Sequence, residues 1–323
     1  MASFLDSEFN KEINSFSSLR NISSAQDQIS QFSNQICKIF AVFDGHGGNE
    51  ISNALTNGIN DIIPSLTEKI CQNISLNHNN KDKLEVDEIK QIIHETFIFI
   101  DNQLKNIYSG TVGSTGTVVV IYKNQIHIAY VGDSMAMVFK NDEFLFKTID
   151  HKIDTNPEEK SRLESTTNVS KTDCTAFEVI SNDSIKATKC YYHNFSYGFY
   201  IDKLAVSRAF GHYSVKRLAN CALIVDPTIN SFEFDDTDNI KIIMASDGVW
   251  DVIESSNTET KIKELIDEAK VLEGDVALHI SDFCVNRWKQ IWKYYDLNEN
   301  LFNVQMNDKR QWDDVSVVYL ELV

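Results

Sequence analysis

Apolar residues along this chain gather into short runs and helical stripes separated by polar punctuation. Residues 1–35 are polar and rich in serine. They lead into Lys38-Ile39-Phe40-Ala41-Val42-Phe43, which reads as a buried strand, and Asp44-Gly45-His46-Gly47-Gly48 follows at once. Ile51, Leu55, Ile59 and Ile62 then recur at helical spacing until Pro64 interrupts the pattern. Residues 72–82 read as a polar loop. A longer helix is predicted over 86–107 on the stripe Ile89, Ile93, Phe97, Ile100 and Leu104. Residues 110–147 read as a β-meander: apolar or β-branched runs at 117–122, 125–131 and 135–140, with Lys123-Asn124 and Gly132-Asp133-Ser134 between them. Residues 150–200 are irregular and polar, longer than an ordinary connection, as functional lids and insertions are. Strand signals return at 203–206 and 241–246, helical ones around 261–269 and 275–288, and the last apolar run spans 315–323. With no internal repeat and no break in composition, the pattern predicts one layered domain over 1–323, α/β or α+β, with helices covering sheets.

Composition narrows the classes. The 323 residues are 42% hydrophobic and 24% charged, with 12 glycines and 3 prolines, an ordinary globular balance. No apolar run approaches about 20 residues, so no membrane span is expected. The net charge of −17 sets the surface against nucleic-acid phosphate and anionic lipid. The six cysteines form no Cys-x-x-Cys pair, which argues against zinc clusters and a disulfide scaffold and fits a reducing compartment. The first residues carry neither a basic nor an apolar signal segment and no glycine at position 2. The expected location is therefore the cytoplasm, with nuclear access left open. Asn-x-Ser/Thr triplets at Asn21, Asn73, Asn168, Asn182 and Asn194 read as chance in an Asn- and Ser-rich chain.

One chemical pattern recurs. Asp44, Asp133 and Asp247 each stand where an apolar run ends, beside Gly45, Gly132 and Gly248, and Asp313-Asp314 precede the last run. A single Asp-Gly of this kind is an ordinary turn. Four of them, with Asp27, Asp150 and Asp251 besides, point to carboxylates gathered at strand ends, which must protonate or share a cation. Oxygen ligands without a Cys or His cluster suit Mg²⁺ or Mn²⁺. Two such ions about 3.5–4 Å apart make a hydrolytic site for phosphoryl groups.

Residues 42–48, Val-Phe-Asp-Gly-His-Gly-Gly, resemble the signature of the type 2C metal-dependent serine/threonine protein phosphatases. In order follow Gly113-Ser114-Thr115-Gly116-Thr117, Gly132-Asp133-Ser134, Asp150-His151-Lys152, residues 204–211, Asp226-Pro227, residues 245–251 and Asp313-Asp314-Val315-Ser316, so the resemblance runs from about residue 20 to 319. It implies an α+β fold, a four-layer αββα sandwich of two antiparallel β-sheets flanked by antiparallel helices. It also implies two Mg²⁺ or Mn²⁺ ions. Asp44 would bridge them, the Gly45 carbonyl would hold one, Asp247 and Asp313 the other, and Asp27 would stand near the Gly45-bound ion. Asp150, Asp247 and Asp251 would form a third, weaker position, leaving Asp133 as a turn residue beside the site. His46 would protonate the leaving serine or threonine oxygen. Arg20 would bind the substrate phosphate with its guanidinium fork.

The resemblance further implies phosphoserine and phosphothreonine proteins as substrates, a monomer, and a variable flap within about 152–203. Arg20 stands seven residues before Asp27, where the family's arginine stands about five before its acid; a slip of two keeps the same strand face, since side chains alternate. Gln26, Met135, His212, Ile153 and Asp314 depart from the usual residues, which bears on loop contacts and substrate preference. Those departures also motivate a second reading, a phosphatase-fold binding module without turnover. A two-metal nuclease would suit the carboxylates alone but not the net charge of −17.

Overall fold

The computed structural model describes residues 11–22, 24–60, 62–81, 83–152, 155–165, 169–180, 184–196, 199–204, 206–217, 223–253, 257–295, 301–305 and 312–323. The chain begins with β1 (Ile13–Arg20), β2 (Gln28–Ser33), β3 (Cys37–Phe43) and the short β4 (Gly45–His46), then α1 (Glu50–Asn57), α2 (Leu66–His78) and α3 (Val86–Leu104). Next come β5 (Gly113–Ser114), β6 (Gly116–Tyr122), β7 (Gln125–Val131), β8 (Met135–Lys140), β9 (Glu143–Lys147) and α4 (Pro157–Glu164). β10 (Val169–Ile180), β11 (Ser184–Ser196), β12 (Phe199–Leu204), β13 (Phe210–Gly211), α5 (Tyr213–Lys216), β14 (Thr228–Glu233) and β15 (Ile240–Ala245) follow. The chain closes with α6 (Asp247–Trp250), α7 (Thr258–Val271), α8 (Val276–Trp288), β16 (Ile291–Tyr295), β17 (Leu301–Gln305) and β18 (Val315–Leu322).

Two five-stranded sheets form the sandwich, in the orders β14-β7-β6-β3-β2 and β1-β18-β15-β8-β9, with antiparallel pairing throughout. Their facing surfaces meet through Val42, Val119 and Ile128 on one side and Val138, Ile242 and Leu320 on the other. The outer face of the first sheet (Ile39, Ala41, Val118, Val120) packs with Leu55 of α1, Ile70 and Ile74 of α2, and Phe97 of α3. The outer face of the second (Met137, Ile243, Val317, Tyr319) packs with Ile262 and Leu265 of α7 and Ile280 of α8. The result is the expected α+β arrangement of helix, sheet, sheet, helix. Burial on both faces explains why β3, β6, β7 and β15 are written as continuous apolar runs rather than in alternation. Among the described residues no helix is long and apolar enough to cross a membrane.

Four local expectations change. The helix foreseen through Ile62 stops at Asn57, because Gly58 takes φ 68° and ends α1, and Ile62 is left 78% exposed. The polar stretch 72–82 is mostly helix: α2 runs to His78, capped where the Ser65 hydroxyl accepts the Glu68 N–H, and it buries Ile70, Cys71 and Ile74. The meander splits, since β6 and β7 form a hairpin in one sheet while β8 belongs to the other, and Gly132-Asp133-Ser134 carries the chain between them. Within 150–200, foreseen as irregular, lie α4 and the antiparallel strands β10, β11 and β12, which join β16 and β17 in a further five-stranded sheet.

Candidate metal centre

The site is assembled from strand ends at the seam of the two sheets. Asp44 follows β3, and its backbone is fixed by Thr115: the Asp44 N–H donates to Thr115 Oγ1 (3.1 Å) and the Thr115 N–H to the Asp44 carbonyl (2.8 Å). Gly45 is packed against the Ser52 hydroxyl and the Gln26 carbonyl, which a Cβ would meet at 2.7 and 2.8 Å. Asp133 sits on the crossing between sheets, where Gly132 takes φ 95°. Asp247 opens α6 directly after β15, and Asp313 precedes β18. Gly248 lets these two segments touch: a Cβ there would lie 2.0 Å from the Asp314 carbonyl oxygen.

Ligand oxygens of Asp44, Asp133 and Asp247 all lie within 4.8 Å of one another. Burial pushes the Asp44 carboxyl well above the ordinary carboxylate range, and the charges of Asp27, Asp247, Asp313 and Asp133 push it further. Asp27 is 1% exposed and is pushed up to about 7, chiefly by burial; hydrogen bonds from Ser246 and Ser316 oppose the rise, the Ser316 hydroxyl donating to Oδ2 at 2.7 Å. Such crowding is relieved by protonation or by a hard cation, and an all-oxygen donor set suits Mg²⁺ or Mn²⁺. One cation is already present in the chain: Lys152 Nζ lies 2.8 Å from Asp133 Oδ2. Burial alone would lower its ammonium, but Asp133, Asp251, Asp247 and Asp150 outweigh this and hold it well above the usual range.

His46 stands beside this cluster. Its Nδ1 is 3.4 Å from the Asp44 carbonyl, its ring lies 4.6 Å from that of His212, and its Nε2 is buried without a hydrogen-bond partner among the described residues. Burial holds its basicity below the usual imidazole range, and the Asp133 charge and the Asp44 carbonyl only partly offset this. With its amide oriented to satisfy its neighbours, Gln26 donates to the Gly45 carbonyl at 3.0 Å and accepts the Gly48 N–H at 2.9 Å. Asp150 and Asp251 line a cavity of about 320 Å³ together with Asp133, Lys152, Asp247 and Trp250. The Asp150 carboxylate also accepts a hydrogen bond from Thr155.

Arg20 behaves differently from the sequence expectation. It ends β1, opposite Val315 of β18, whereas Asp27 leads into β2 of the other sheet, so no continuous strand puts the two on one face. The connecting loop is folded around Asp314, whose carboxylate accepts the Ile22 N–H (2.8 Å), the Gln26 N–H (2.9 Å) and the Ser24 hydroxyl (3.2 Å). Arg20 Nη2 is paired with Asp282 of α8 at 2.8 Å, an exposed ion pair, and its Nε is buried without a hydrogen-bond partner among the described residues. Three further residues take part in the cluster's surroundings. Asp133 carries the same strand-end signal as Asp44 and Asp247, and the turn that holds it lies beside the cluster with its carboxylate within reach of theirs. Lys152 and Asp314 act through contacts between segments far apart in the chain.

Over 214 residues the chain is 27% identical to Protein phosphatase 2C 56 of Arabidopsis thaliana, covering 66% of this chain and 42% of that protein. It is 26% identical to human Protein phosphatase 1B, over 77% of this chain and 47% of that one. It thus spans less than half the length of these two relatives. It is 27% identical to Protein phosphatase 2C 1 of Paramecium tetraurelia, over 74% of this chain and 72% of the relative. The crystal structure of serine-threonine phosphatase 2C from Toxoplasma gondii superposes with a TM-score of 0.66 at 18% identity, covering 97% of this chain and 95% of that one, a likeness of fold. Residues 7–288 match the family model described as Protein phosphatase 2C, and the chain belongs to that family.

Proposed function

We propose that this chain is a Mg²⁺- or Mn²⁺-dependent phosphatase that hydrolyses phosphoserine and phosphothreonine in proteins, with the elements described between residues 13 and 322 composing one catalytic unit within 1–323. The observation that carries the reading is the gathering of Asp44, Asp133 and Asp247 from three separate strand ends within 4.8 Å. Asp44 would be shared by two ions, with Asp247 and Asp313 on one side and Asp27 and the Gly45 carbonyl on the other; Asp150, Asp251 and Asp133 surround a further, weaker position. Divalent ions held there would supply a water made reactive at neutral pH and neutralise phosphoryl charge.

The chain's own residues do the rest. His46 Nε2, which has no hydrogen-bond partner among the described residues, is the atom offered to the leaving serine or threonine oxygen; burial lowers its basicity, and the Asp133 charge and the Asp44 carbonyl oppose that without outweighing it, so it is the substrate oxygen that must draw the proton into place. Arg20 would exchange the exposed Asp282 for a substrate phosphate oxygen, since a pair of that kind contributes only about 0–1 kcal/mol. Gln26 and Asp314 hold the loop between Arg20 and Asp27 against Gly45 and Gly48. The net charge of −17 favours protein over nucleic-acid substrates, and the free thiols of Cys37, Cys71 and Cys284 fit the cytoplasm. We place the chain there as a monomer.

The test is phosphate release from a phosphothreonine peptide with Mn²⁺. Activity should vanish on chelation and fall at least about 100-fold in Asp44→Ala and in Asp247→Ala. A Mn²⁺-loaded wild type no faster than those variants would overturn the reading.

A further inference from the structure

Asp150 and Lys152 line the cavity, and His151 and Lys152 also grip the Gly132-Asp133 crossing at several points. The Gly132 N–H donates to His151 Nδ1 at 3.1 Å, and the His151 N–H donates back to the Gly132 carbonyl at 2.9 Å. With Nδ1 accepting, the ring proton is on Nε2, which donates to Thr228 Oγ1 at 2.9 Å. The ring is 1% exposed and stacks on Tyr130 with centroids 5.0 Å apart. The next side chain, Lys152, then reaches Asp133 Oδ2 at 2.8 Å, with side-chain exposures of 15% and 7% for the pair. Its backbone is therefore held while its ammonium, a point charge on a flexible stem, can turn away.

We infer that Lys152 is a tethered counter-ion that occupies Asp133 when no divalent ion is bound there and yields it when one arrives, so that ion binding at this carboxylate is an exchange of cations. The inference rests on the metal reading above and adds a residue that reading does not use. The arrangement has two consequences. When no divalent ion is bound, Lys152 offsets the repulsion among Asp44, Asp133 and Asp247 and steadies the fold. An incoming ion at Asp133 must displace a like charge, which makes this position weaker than those formed by Asp44 with Asp247 and Asp313. Lys152 is a positioning residue on this account, since it touches a ligand and not the substrate.

The test compares wild type, Lys152→Met and Lys152→Arg by electron paramagnetic resonance titration with Mn²⁺ and by thermal melts in EDTA and in Mn²⁺. Lys152→Met should bind its weakest Mn²⁺ at least tenfold more tightly, and should melt lower than wild type in EDTA but not in Mn²⁺. Lys152→Arg, which keeps the charge, should resemble wild type in both. The wild type itself gives a readout free of any folding defect. The Lys152 ¹⁵Nζ resonance, identified by its absence from Lys152→Arg, should shift during titration with diamagnetic Mg²⁺. An unchanged weak-site affinity, an equal loss of melting temperature with and without Mn²⁺, or a resonance indifferent to Mg²⁺ overturns the inference alone. No bound Mn²⁺ in any form overturns the metal reading and this inference with it.

Discussion

At the scale of single residues, the buried acids govern how the protein responds to pH. A carboxyl held up in the fold contributes its full stabilisation below its unfolded value, and that contribution is lost as pH rises towards its folded value. For Asp27 the window runs from 3.8 to about 7. In EDTA, wild type should therefore lose stability relative to Asp27→Asn across that window, read by urea denaturation. His127, His151 and His212 act in the opposite sense: burial above all holds them down to about 4, 3 and 2, so acid below 6.5 costs the fold. The difference between variant and wild type isolates Asp27, and a difference constant with pH would contradict the assignment. Gly248→Ala tests the close approach of α6 to the start of β18. Its Cβ would sit 2.0 Å from a backbone oxygen, so a loss of about 1–3 kcal/mol is expected in the same assay. Asp282→Ala, by contrast, removes only Arg20's exposed partner. It should change stability by no more than about 1 kcal/mol and leave the KM for a phosphopeptide unchanged or lower.

At the scale of elements, what could be read in the sequence depended on where the information sits. β3, β6, β7, β15 and β18 were legible because both faces are buried and the apolar runs are unbroken. α2 was not: its buried face is narrow, and Gln72, Asn73 and Asn77 imitate a loop, although the Asn73 amide in fact donates to Thr96 of α3. The departure of β8 to the second sheet was hidden because Gly132-Asp133-Ser134 has the local chemistry of a hairpin turn, and only long-range pairing decides otherwise. That same crossing brings Asp133 to the cluster, so the placement of the element and that of the residue have one cause. Asp101 of α3 shows a further contact that local pattern cannot reveal. Its carboxylate accepts the Gly211 N–H (2.9 Å) and the Tyr213 hydroxyl (3.0 Å) and pairs with Lys216 at 2.8 Å, which ties β13 and α5 to α3. Removing one partner of a pair buried to this degree leaves an uncompensated charge, so Asp101→Ala should cost about 3–5 kcal/mol in urea denaturation. A cost near that of Asp282→Ala would contradict it.

At the scale of the whole molecule, the candidate site belongs to neither sheet alone. Asp27 and Asp44 adjoin β2 and β3 of one sheet, Asp247 and Asp313 adjoin β15 and β18 of the other, and Asp133 lies on the strap between them. Pairing of β1 with β18 brings residues 13–20 and 315–322 together, which sets Arg20 opposite Val315, close in sequence to Asp313. A cation shared across this seam would bind only the folded chain, so Mn²⁺ should raise the melting temperature of the protein in a concentration-dependent way. The acidic total of −17 is thus partly local, with several of its charges directed at one point rather than spread over the surface. The most direct measurement is an anomalous-difference map from crystals of the wild-type protein loaded with Mn²⁺. The account expects strong peaks in contact with Asp44 and with Asp247 and Asp313, and a weaker one at Asp133. Crystals with Mn²⁺ bound only elsewhere, and no peak at these carboxylates, would contradict it.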